Sequence, residues 1–548
     1  MMVRFGADPR SNCRAVSASV LLVGVRAVAA GCVWLPALSV WAQEAGGARP
    51  TVSIVPRISV SETYTTNALL SNANQRSDLI TQISPGIRIS SNGGRIRGSL
   101  DYALTQQLYA NNSSRHRSQN ALTATGTVEA IDNWAFVDFS GSIGQQAISA
   151  FGAPAGDGSA VNSNSTETAV FRLSPYVRGR FGSAAEYEAR YSLSTSRSGA
   201  VARSDVNSSD LALRLNGTGG RQGLGWSLTG DHQTIDYSAG RSTSSRRLNG
   251  YLSYPINDKW GVYVKAGTES SDFLVANNQN QNFTAVGVNF TPNDEAQFSI
   301  DRDSRGSTGL VLKWAPSRRT SVSVTRERRL FGDTQTIALA YRTANTAWTF
   351  SQSKGAVTNT GLSVGAPTQS LYDTLLAQFS AGETDPVRRE QFGAFLIANG
   401  IRPANTAIGG FLTSALSLQN HQQLSFALFG ARNTISVIAT RSSNTRLDTA
   451  SVSVDDLSRS GVVRQNGVVV NLSHRFTPAS VLNLAASSQN ASGSAGQAGT
   501  STKSVNVNLS TRLTKDTTAS IGARRVIFDS STAPYNETAV VGNVNVQF

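Results

Sequence analysis

Beyond residue 33 this 548-residue chain contains no cysteine and no methionine: the two Met are residues 1 and 2, and the two Cys are Cys13 and Cys32. Disulfide scaffolds, zinc–thiolate sites and cysteine nucleophiles are thereby excluded from the body of the protein. Charge is scarce as well, at 15% Asp, Glu, Lys and Arg, against roughly 25% in ordinary soluble domains. Ser, Thr, Asn, Gln and Gly fill the deficit. Val, Leu, Ile and aromatic residues nevertheless recur throughout, so the composition is not that of a disordered chain. No segment after residue 42 offers the ~20 consecutive apolar residues of a membrane-spanning helix.

The placement of the rare residues points to a leader. Arg4, Arg10, Arg14 and Arg26 precede a largely apolar stretch, Ala27 to Val40, and Val40-Trp41-Ala42 supplies small residues at a cleavage position. This pattern predicts a secretory signal over residues 1–42, cut after Ala42. A lipoprotein site at Cys32, after Val28-Ala29-Ala30-Gly31, is the weaker alternative, because Leu is missing three residues before it. Removing the leader, with its four Arg and one Asp, lowers the net charge from +14 to +11.

What is present is alternation. In Arg95-Ile96-Arg97-Gly98-Ser99-Leu100-Asp101-Tyr102-Ala103-Leu104, the apolar Ile96, Leu100, Tyr102 and Leu104 share one face, and Arg95, Arg97, Ser99 and Asp101 share the other. Successive side chains of a strand point to opposite faces, so each such segment has one apolar and one wet surface. The pattern returns at Tyr187-Ala189-Tyr191-Leu193, Leu248-Gly250-Leu252-Tyr254, Leu424-Phe426-Leu428 and Val505-Val507-Leu509. Short turns such as Asn92-Gly93-Gly94, Asn257-Asp258-Lys259 and Thr477-Pro478 alternate with longer polar links, among them residues 110–118, 147–166 and 490–501.

Short turns on one rim and long loops on the other predict an all-β fold: a large antiparallel transmembrane β-barrel of about 24 strands (range 18–26). Arg302–Ser307 and Phe331–Thr334 are tight links that make the number uncertain. Trp134, Trp226, Trp260, Trp314 and Trp348 all lie within a few residues of a short turn, as an interfacial aromatic girdle requires. The last segment alternates Val540, Gly542, Val544 and Val546 with polar residues and ends on Phe548. Val544, Val546 and Phe548 resemble the terminal signal recognised by the outer-membrane barrel assembly machinery. A secreted β-sandwich is the competing fold, but its strands and turns are less regular than these.

The period breaks over residues 355–412. Leu371, Leu375, Leu376 and Phe379 have helical spacing, and Asp385-Pro386 opens a second helical stretch containing Phe392, Phe395 and Leu396. The chain thus divides into a leader, 1–42, a first barrel part, 43–354, a small helical insert, 355–412, and a second barrel part, 413–548. A barrel this wide is not filled by its own side chains. The insert is either an external cap or a constriction folded into the lumen, with a slight preference for the second.

Catalytic chemistry finds little support. Gly361-Leu362-Ser363-Val364-Gly365 matches a nucleophile-elbow pattern but lacks the strand-to-helix context. His116, His232, His421 and His474 show no metal-ligand spacing, so neither an enzyme nor a cofactor is expected. Strand parity points Arg88, Arg95, Arg97, Arg172, Arg190, Arg214, Lys265, Arg342, Arg512 and Arg524 into the lumen. Asp101, Glu129, Glu186, Glu188, Asp210, Glu269 and Asp301 oppose them. A mixed lining with basic excess favours polar or anionic solutes; equally, paired charges merely solvate and stiffen the wall. The net positive charge fits contact with lipopolysaccharide phosphates as well. It does not indicate nucleic acid, since no aromatic–basic platform accompanies it.

Trp314-Ala315-Pro316-Ser317-Arg318-Arg319-Thr320, with Leu330-Phe331-Gly332 and Ala347-Trp348-Thr349-Phe350-Ser351, resembles an uncharacterised outer-membrane family associated with PEP-CTERM/exosortase systems. Leu371–Gly400 and Leu428-Phe429-Gly430-Ala431-Arg432-Asn433-Thr434 share the resemblance. So does the opening Pro56–Asn67, although Thr66 stands where Asp would be expected. The resemblance implies an outer-membrane barrel of a Gram-negative bacterium, found beside exopolysaccharide and protein-sorting genes, and it transfers no catalytic residues. The expected function is a passive channel for a polar or anionic polymer or solute, with exopolysaccharide export components as possible partners. The alternative is a non-conducting barrel that anchors surface polysaccharide or sorted proteins.

Overall fold

The computed structural model describes residues 52–153, 160–199, 205–217, 223–238, 240, 242–272, 279–358, 376, 389, 392–393, 411–413, 415–447, 455–494 and 499–548. The leader with Ala42 and Cys32, Ser363, and most of the insert lie outside the described residues.

The first eight strands are β1 (Val52–Thr65), β2 (Asp78–Gly93), β3 (Ile96–Tyr109), β4 (Arg117–Ile131), β5 (Ala135–Ala147), β6 (Ser165–Phe181), β7 (Ala185–Ser198) and β8 (Val206–Gly217). The next eight are β9 (Gly225–Tyr237), β10 (Ser242–Pro255), β11 (Trp260–Ser271), β12 (Gln279–Asn293), β13 (Ala296–Asp303), β14 (Thr308–Ser317), β15 (Thr320–Arg329) and β16 (Gly332–Arg342). The last eight are β17 (Thr346–Thr358), β18 (Leu416–Phe429), β19 (Asn433–Arg446), β20 (Val462–Arg475), β21 (Ser480–Ser492), β22 (Thr500–Arg512), β23 (Thr517–Ser530) and β24 (Tyr535–Gln547). A short helix, α1 (Asp456–Ser460), precedes β20.

Every strand pairs antiparallel with its chain neighbours, and β1 pairs with β24 from Arg57↔Gln547 to Thr65↔Ala539. The 24-stranded sheet is therefore closed and has no free edge, as the alternation predicts. Phe548 continues the seam, its amide donating to the Pro56 carbonyl at 2.9 Å. At the short-turn rim Gly94 (φ +70) and Asn133 (φ +57) hold the left-handed conformations of the β2–β3 and β4–β5 turns. Arg302–Ser307 and Phe331–Thr334 are hairpin links between separate strands on the long-loop rim.

One boundary differs from the sequence reading. Strand β17 runs on through Gly355-Ala356-Val357-Thr358, which pairs with Gln419 to Leu416. The insert therefore begins after Thr358 rather than at residue 355. The small side chains of Gly355 and Ala356 carry no alternation for a periodicity argument to detect.

Outward faces are apolar. Val60, Leu193, Leu213, Val264, Leu424 and Val507 are all exposed, on the face opposite Ser61, Ser194, Arg214, Lys265, Gln423 and Asn508. The five Trp are exposed beside the short turns. The apolar residues of this chain do not gather into a central core; they face outward around the ring, where the apolar solvent is lipid. A charge on that face is accordingly costly. Leu213→Arg is expected to lower stability by about 2–4 kcal/mol, whereas Ala212→Arg, one residue away on the lumen face, costs less than about 1 kcal/mol. Guanidinium unfolding in lipid vesicles separates the two.

The ring is not round. At ~4.8 Å per strand, 24 strands make a perimeter of about 115 Å and a circle nearly 40 Å across, before tilt widens it. Yet Phe411 forms a parallel bridge with Ala147 at the end of β5, and the Leu412 amide donates to the Ala147 carbonyl at 3.1 Å. Only four residues later the chain enters β18 at Leu416, a reach of at most ~14 Å. Strands β5 and β18 stand on nearly opposite sides of the ring, so at the long-loop rim two walls approach closely.

Side chains at the ends of this flattened section agree. Arg247 on β10 pairs with Glu327 on β15, and Arg329 Nε on β15 lies 2.8 Å from Glu269 on β11. Contacts four and five strands apart require a sharply bent wall between them. Small residues fill the inside of that bend: a Cβ on Gly287 would meet the Tyr263 ring at 2.3 Å, and one on Gly267 would meet the Leu248 carbonyl at 2.5 Å.

Candidate functional site

The lumen face carries the chemistry. Arg88 Nε pairs with Asp101 at 3.0 Å, and Arg57 of β1 engages the same carboxylate through both terminal nitrogens. Arg190 lies 2.6 Å from Asp138 and 3.3 Å from Glu188, with its guanidinium 3.8 Å from the Tyr176 ring centre. Tyr176 stacks on Phe136 at 5.0 Å, and the Arg178 guanidinium lies 4.5 Å from the Phe136 ring centre. These aromatic contacts hold two guanidiniums on the inner face of β5–β7.

The other sequence candidates fall in several environments. Lys265 Nζ lies 2.6 Å from Asp301, and Arg524 lies 2.9 Å from Glu537. Arg97, Arg172 and Arg214 stand on the inner faces of β3, β6 and β8. Arg342 ends β16 and Arg512 ends β22. Arg512 donates to the turn carbonyls of Thr514 and Lys515, at 3.1 and 3.4 Å. Arg95 departs from strand parity: it sits in the β2–β3 turn, its side chain 65% exposed, and pairs with Asp132 of the next turn at 2.7 Å. It belongs to the rim and not to the lining, because the strand begins only at Ile96.

Sequence reading missed Arg57, Asp138, Arg247, Glu327 and Glu537. Arg57 and Asp138 obey the same parity as the residues it named, so the signal was there. The long-range partners of Arg247 and Glu327 have no sequence signal, because they depend on the flattening.

Charge is unevenly spread. The inner faces of β17–β21 present Thr349, Ser351, Gln423, Ser436, Asn471 and Asn483, with few charges. Several of these residues are hidden from solvent, Asn471 and Asn483 at 2% and 1% exposure, and neither amide has a hydrogen-bond partner among the described residues. Phe392 of the insert is itself buried and shares a small cleft with Ala427, Thr434, Ser436, Asn471 and Ser473. Those five residues face inward near the short-turn ends of β18, β19 and β20.

The opposite rim is tied across. Phe411, Ala415, Leu457 and Val463 form a buried cluster with Ala150 and Phe151 of the β5–β6 loop packed against it. Asp456 of α1 accepts from the Ala150 amide at 2.6 Å and from Ser149 Oγ at 3.0 Å. Asp455 caps α1, accepting from the Ser458 amide while Ser458 Oγ accepts from the Asp455 amide. Burial raises the Asp456 carboxyl above its ordinary range, against the lowering effect of the Ala150 and Ser149 bonds; Asp455 adds to the rise and Arg459 opposes it. A raised folded-state value means that the tie is fully favoured at low pH and weakens as pH rises through it. Asp456→Ala is expected to reduce hydrogen-exchange protection of the Ala150 amide by about tenfold or more. In the unsubstituted chain that protection should increase as pH falls toward the ordinary aspartate range, after correction for intrinsic exchange.

No group of three or more His, Cys, Asp or Glu able to hold a metal occurs among the described residues. His116 Nδ1 accepts from the Tyr109 amide at 3.1 Å, and His474 Nδ1 contacts Asn433 Oδ1 at 2.6 Å.

No family model and no curated protein matches the chain. Among solved structures, it is similar to the FrpB iron transporter of Neisseria meningitidis (F5-1 variant, apoprotein form) at 10% identity and a TM-score of 0.44, covering 90% of this chain and 81% of that one. It is also similar to the siderophore receptor PirA of Pseudomonas aeruginosa, at 10% identity and a TM-score of 0.38, covering 91% and 81% of the two chains. OccK5 (OpdH) of Pseudomonas aeruginosa matches at 10% identity and a TM-score of 0.30, over 90% and 98%. The class is defined by the chain's own closure and faces: a β-barrel with an apolar exterior and a wet interior, the build of a membrane-spanning barrel.

Proposed function

We propose that this protein is an outer-membrane channel of a Gram-negative bacterium, passive and non-enzymatic, that passes a polar or anionic polymer or solute. The observation that carries this reading is the inner wall, where a 24-strand closure leaves more width than wall side chains fill. That wall combines ion pairs such as Lys265–Asp301 with long runs of hydroxyl and amide groups. Paired charges keep such a surface hydrated without gripping a passing solute. Residues 359–410 act as the constriction: Phe392 sits against the lumen face near one rim and Phe411 at the other. The resemblance to the PEP-CTERM/exosortase-associated family adds exopolysaccharide as the polymer, with its export components as partners. The leader ending at Ala42 accounts for export, and Val544, Val546 and Phe548 for handling by the assembly machinery.

Planar-bilayer recording of the mature chain tests the reading: discrete conductance steps are expected, with a reversal potential in a KCl gradient on the anion-preferring side. The tie across the long-loop rim favours a second reading, a non-conducting barrel that anchors surface polysaccharide or sorted proteins. Absence of conductance, both in the full chain and without residues 359–410, would establish that alternative over the channel.

A further inference from the structure

The outer wall carries a second pattern, independent of the lumen. On β13 the outward residues Phe298 and Ile300 are followed, toward the long-loop rim, by Arg302; on β15 Val322 and Val324 are followed by Arg326. Strand β19 repeats this with Ile435, Val437 and Ala439 below Arg441. Strands β22 and β23 repeat it again, with Lys503 above Val505 and Arg525 above Ile521 and Ala523. Each base is thus the first charged outward residue above the apolar belt of its strand.

The opposite wall is of mixed sign: Arg197 on β7 and Arg246 on β10 stand above Leu193 and Leu248, but acidic and amide residues take the same level on other strands. Glu62 stands above Val60 on β1, Glu167 above Ala169 on β6, and Asn120 above Leu122 on β4, where its amide groups donate to Glu167. The band above the belt is thus mostly basic on β13–β23 and of mixed sign on the other wall.

The bases are not consumed by local pairing. Arg326 and Arg328 share the single carboxylate of Asp333, at 2.9 and 3.2 Å, which leaves net positive charge there. Arg441, Lys503 and Arg525 have no carboxylate within ion-pair distance among the described residues. Between them in the same band stand the outward amides Gln335, Gln422 and Asn466.

We propose that the outer wall of β13–β23 is a binding surface for a phosphorylated, multiply acylated glycolipid of the outer leaflet. Guanidinium groups match phosphate oxygens with two parallel hydrogen bonds, and the ammonium of Lys503 adds a point charge. Acyl chains lie along the apolar belt below, and sugar hydroxyl and amide groups meet the interspersed Gln and Asn side chains. This rests on the reading of the chain as an outer-membrane barrel with its long-loop rim outward.

The test is native mass spectrometry of the refolded mature chain in detergent with diphosphoryl lipid A or its dephosphorylated form. The unsubstituted chain is expected to retain diphosphoryl lipid A. The quadruple variant R326Q/R441Q/K503Q/R525Q should bind it at least about tenfold more weakly, with the double variant K503Q/R525Q intermediate. The lumen variant Arg214→Gln should bind like the unsubstituted chain, and the dephosphorylated lipid should bind all of them weakly. Equal retention of the two lipids, or equal binding by the quadruple variant, overturns the proposal and leaves the membrane reading intact. An unsubstituted chain that enters no micelle and shows no heat-modifiable migration overturns both.

Discussion

Replacing residues 359–410 with a short Gly–Ser link is expected to raise the single-channel conductance several-fold over that of the full chain. The expectation follows from where the described ends of the insert lie. Phe392 is buried against Ala427, Ser436 and Asn471 at the short-turn end of the lumen, and Phe411 pairs with Ala147 at the long-loop end. Phe392 covers part of the inner wall, and conduction through a pore follows its free width and lining. Deletion also exposes the hydroxyl and amide groups of β18–β21, which suit water better than Phe392 does. The strands on either side, β17 and β18, pair from Thr346↔Leu428 to Thr358↔Leu416 without the insert, so the barrel itself should survive. Equal conductance in the two forms, with folding verified by heat-modifiable migration, would remove the insert from the conduction path and return it to the role of an external cap.

The second large effect is expected at the seam. Glu537 of β24 accepts from Thr65 Oγ1 of β1 at 2.7 Å and from Arg524 of β23 at 2.9 Å. Its side chain is 4% exposed, and that of Arg524 is 12% exposed. One carboxylate thus joins the last strand both to its predecessor and to the first strand. Asn67 reinforces the join, its side-chain amide donating to the Asn536 carbonyl at 2.9 Å. Removing one partner of a buried pair strands the other, so Glu537→Ala is expected to destabilise the barrel by about 3–5 kcal/mol. Glu537→Gln keeps the acceptor for Thr65 and should cost less. The midpoint of guanidinium unfolding, followed by tryptophan fluorescence, measures both. A loss below about 1 kcal/mol for the alanine variant would place the pair with ordinary solvated wall charges.

The strand pattern was legible in the sequence because a barrel exposes each strand to two different solvents. Leu100, Tyr102 and Leu104 against Arg97, Ser99 and Asp101 is a signal with period two, and no distant residue is needed to interpret it. Parity alone therefore placed Arg88, Arg172, Arg190 and Lys265 on the wet face. It misplaced Arg95, because turn residues have no face. It also overlooked the last residues of β17, because Gly355 and Ala356 are too small to alternate. The partners of Arg247, Arg329 and Asp456 were beyond reach for a different reason. They join strands or loops four to ten places apart in the ring, and such contacts depend on how the closed sheet bends rather than on local periodicity.

The bend has a consequence for opening. A closed sheet of fixed strand number has a fixed perimeter, but the area it encloses is not fixed: it is smallest when the ring is pressed flat and largest when it is circular. Passing from one shape to the other changes the curvature near β11 and β12, where Gly267 and Gly287 make room for crowded side chains, and it need not break any ladder hydrogen bond. Among the described residues, the contacts from Asp456 to Ser149 and Ala150 and from Phe411 to Ala147, with the apolar cluster around Leu457, hold the walls together there. The enclosed area is thus a property of the ring's shape rather than of its strand number, and the rim contacts hold it below the circular maximum.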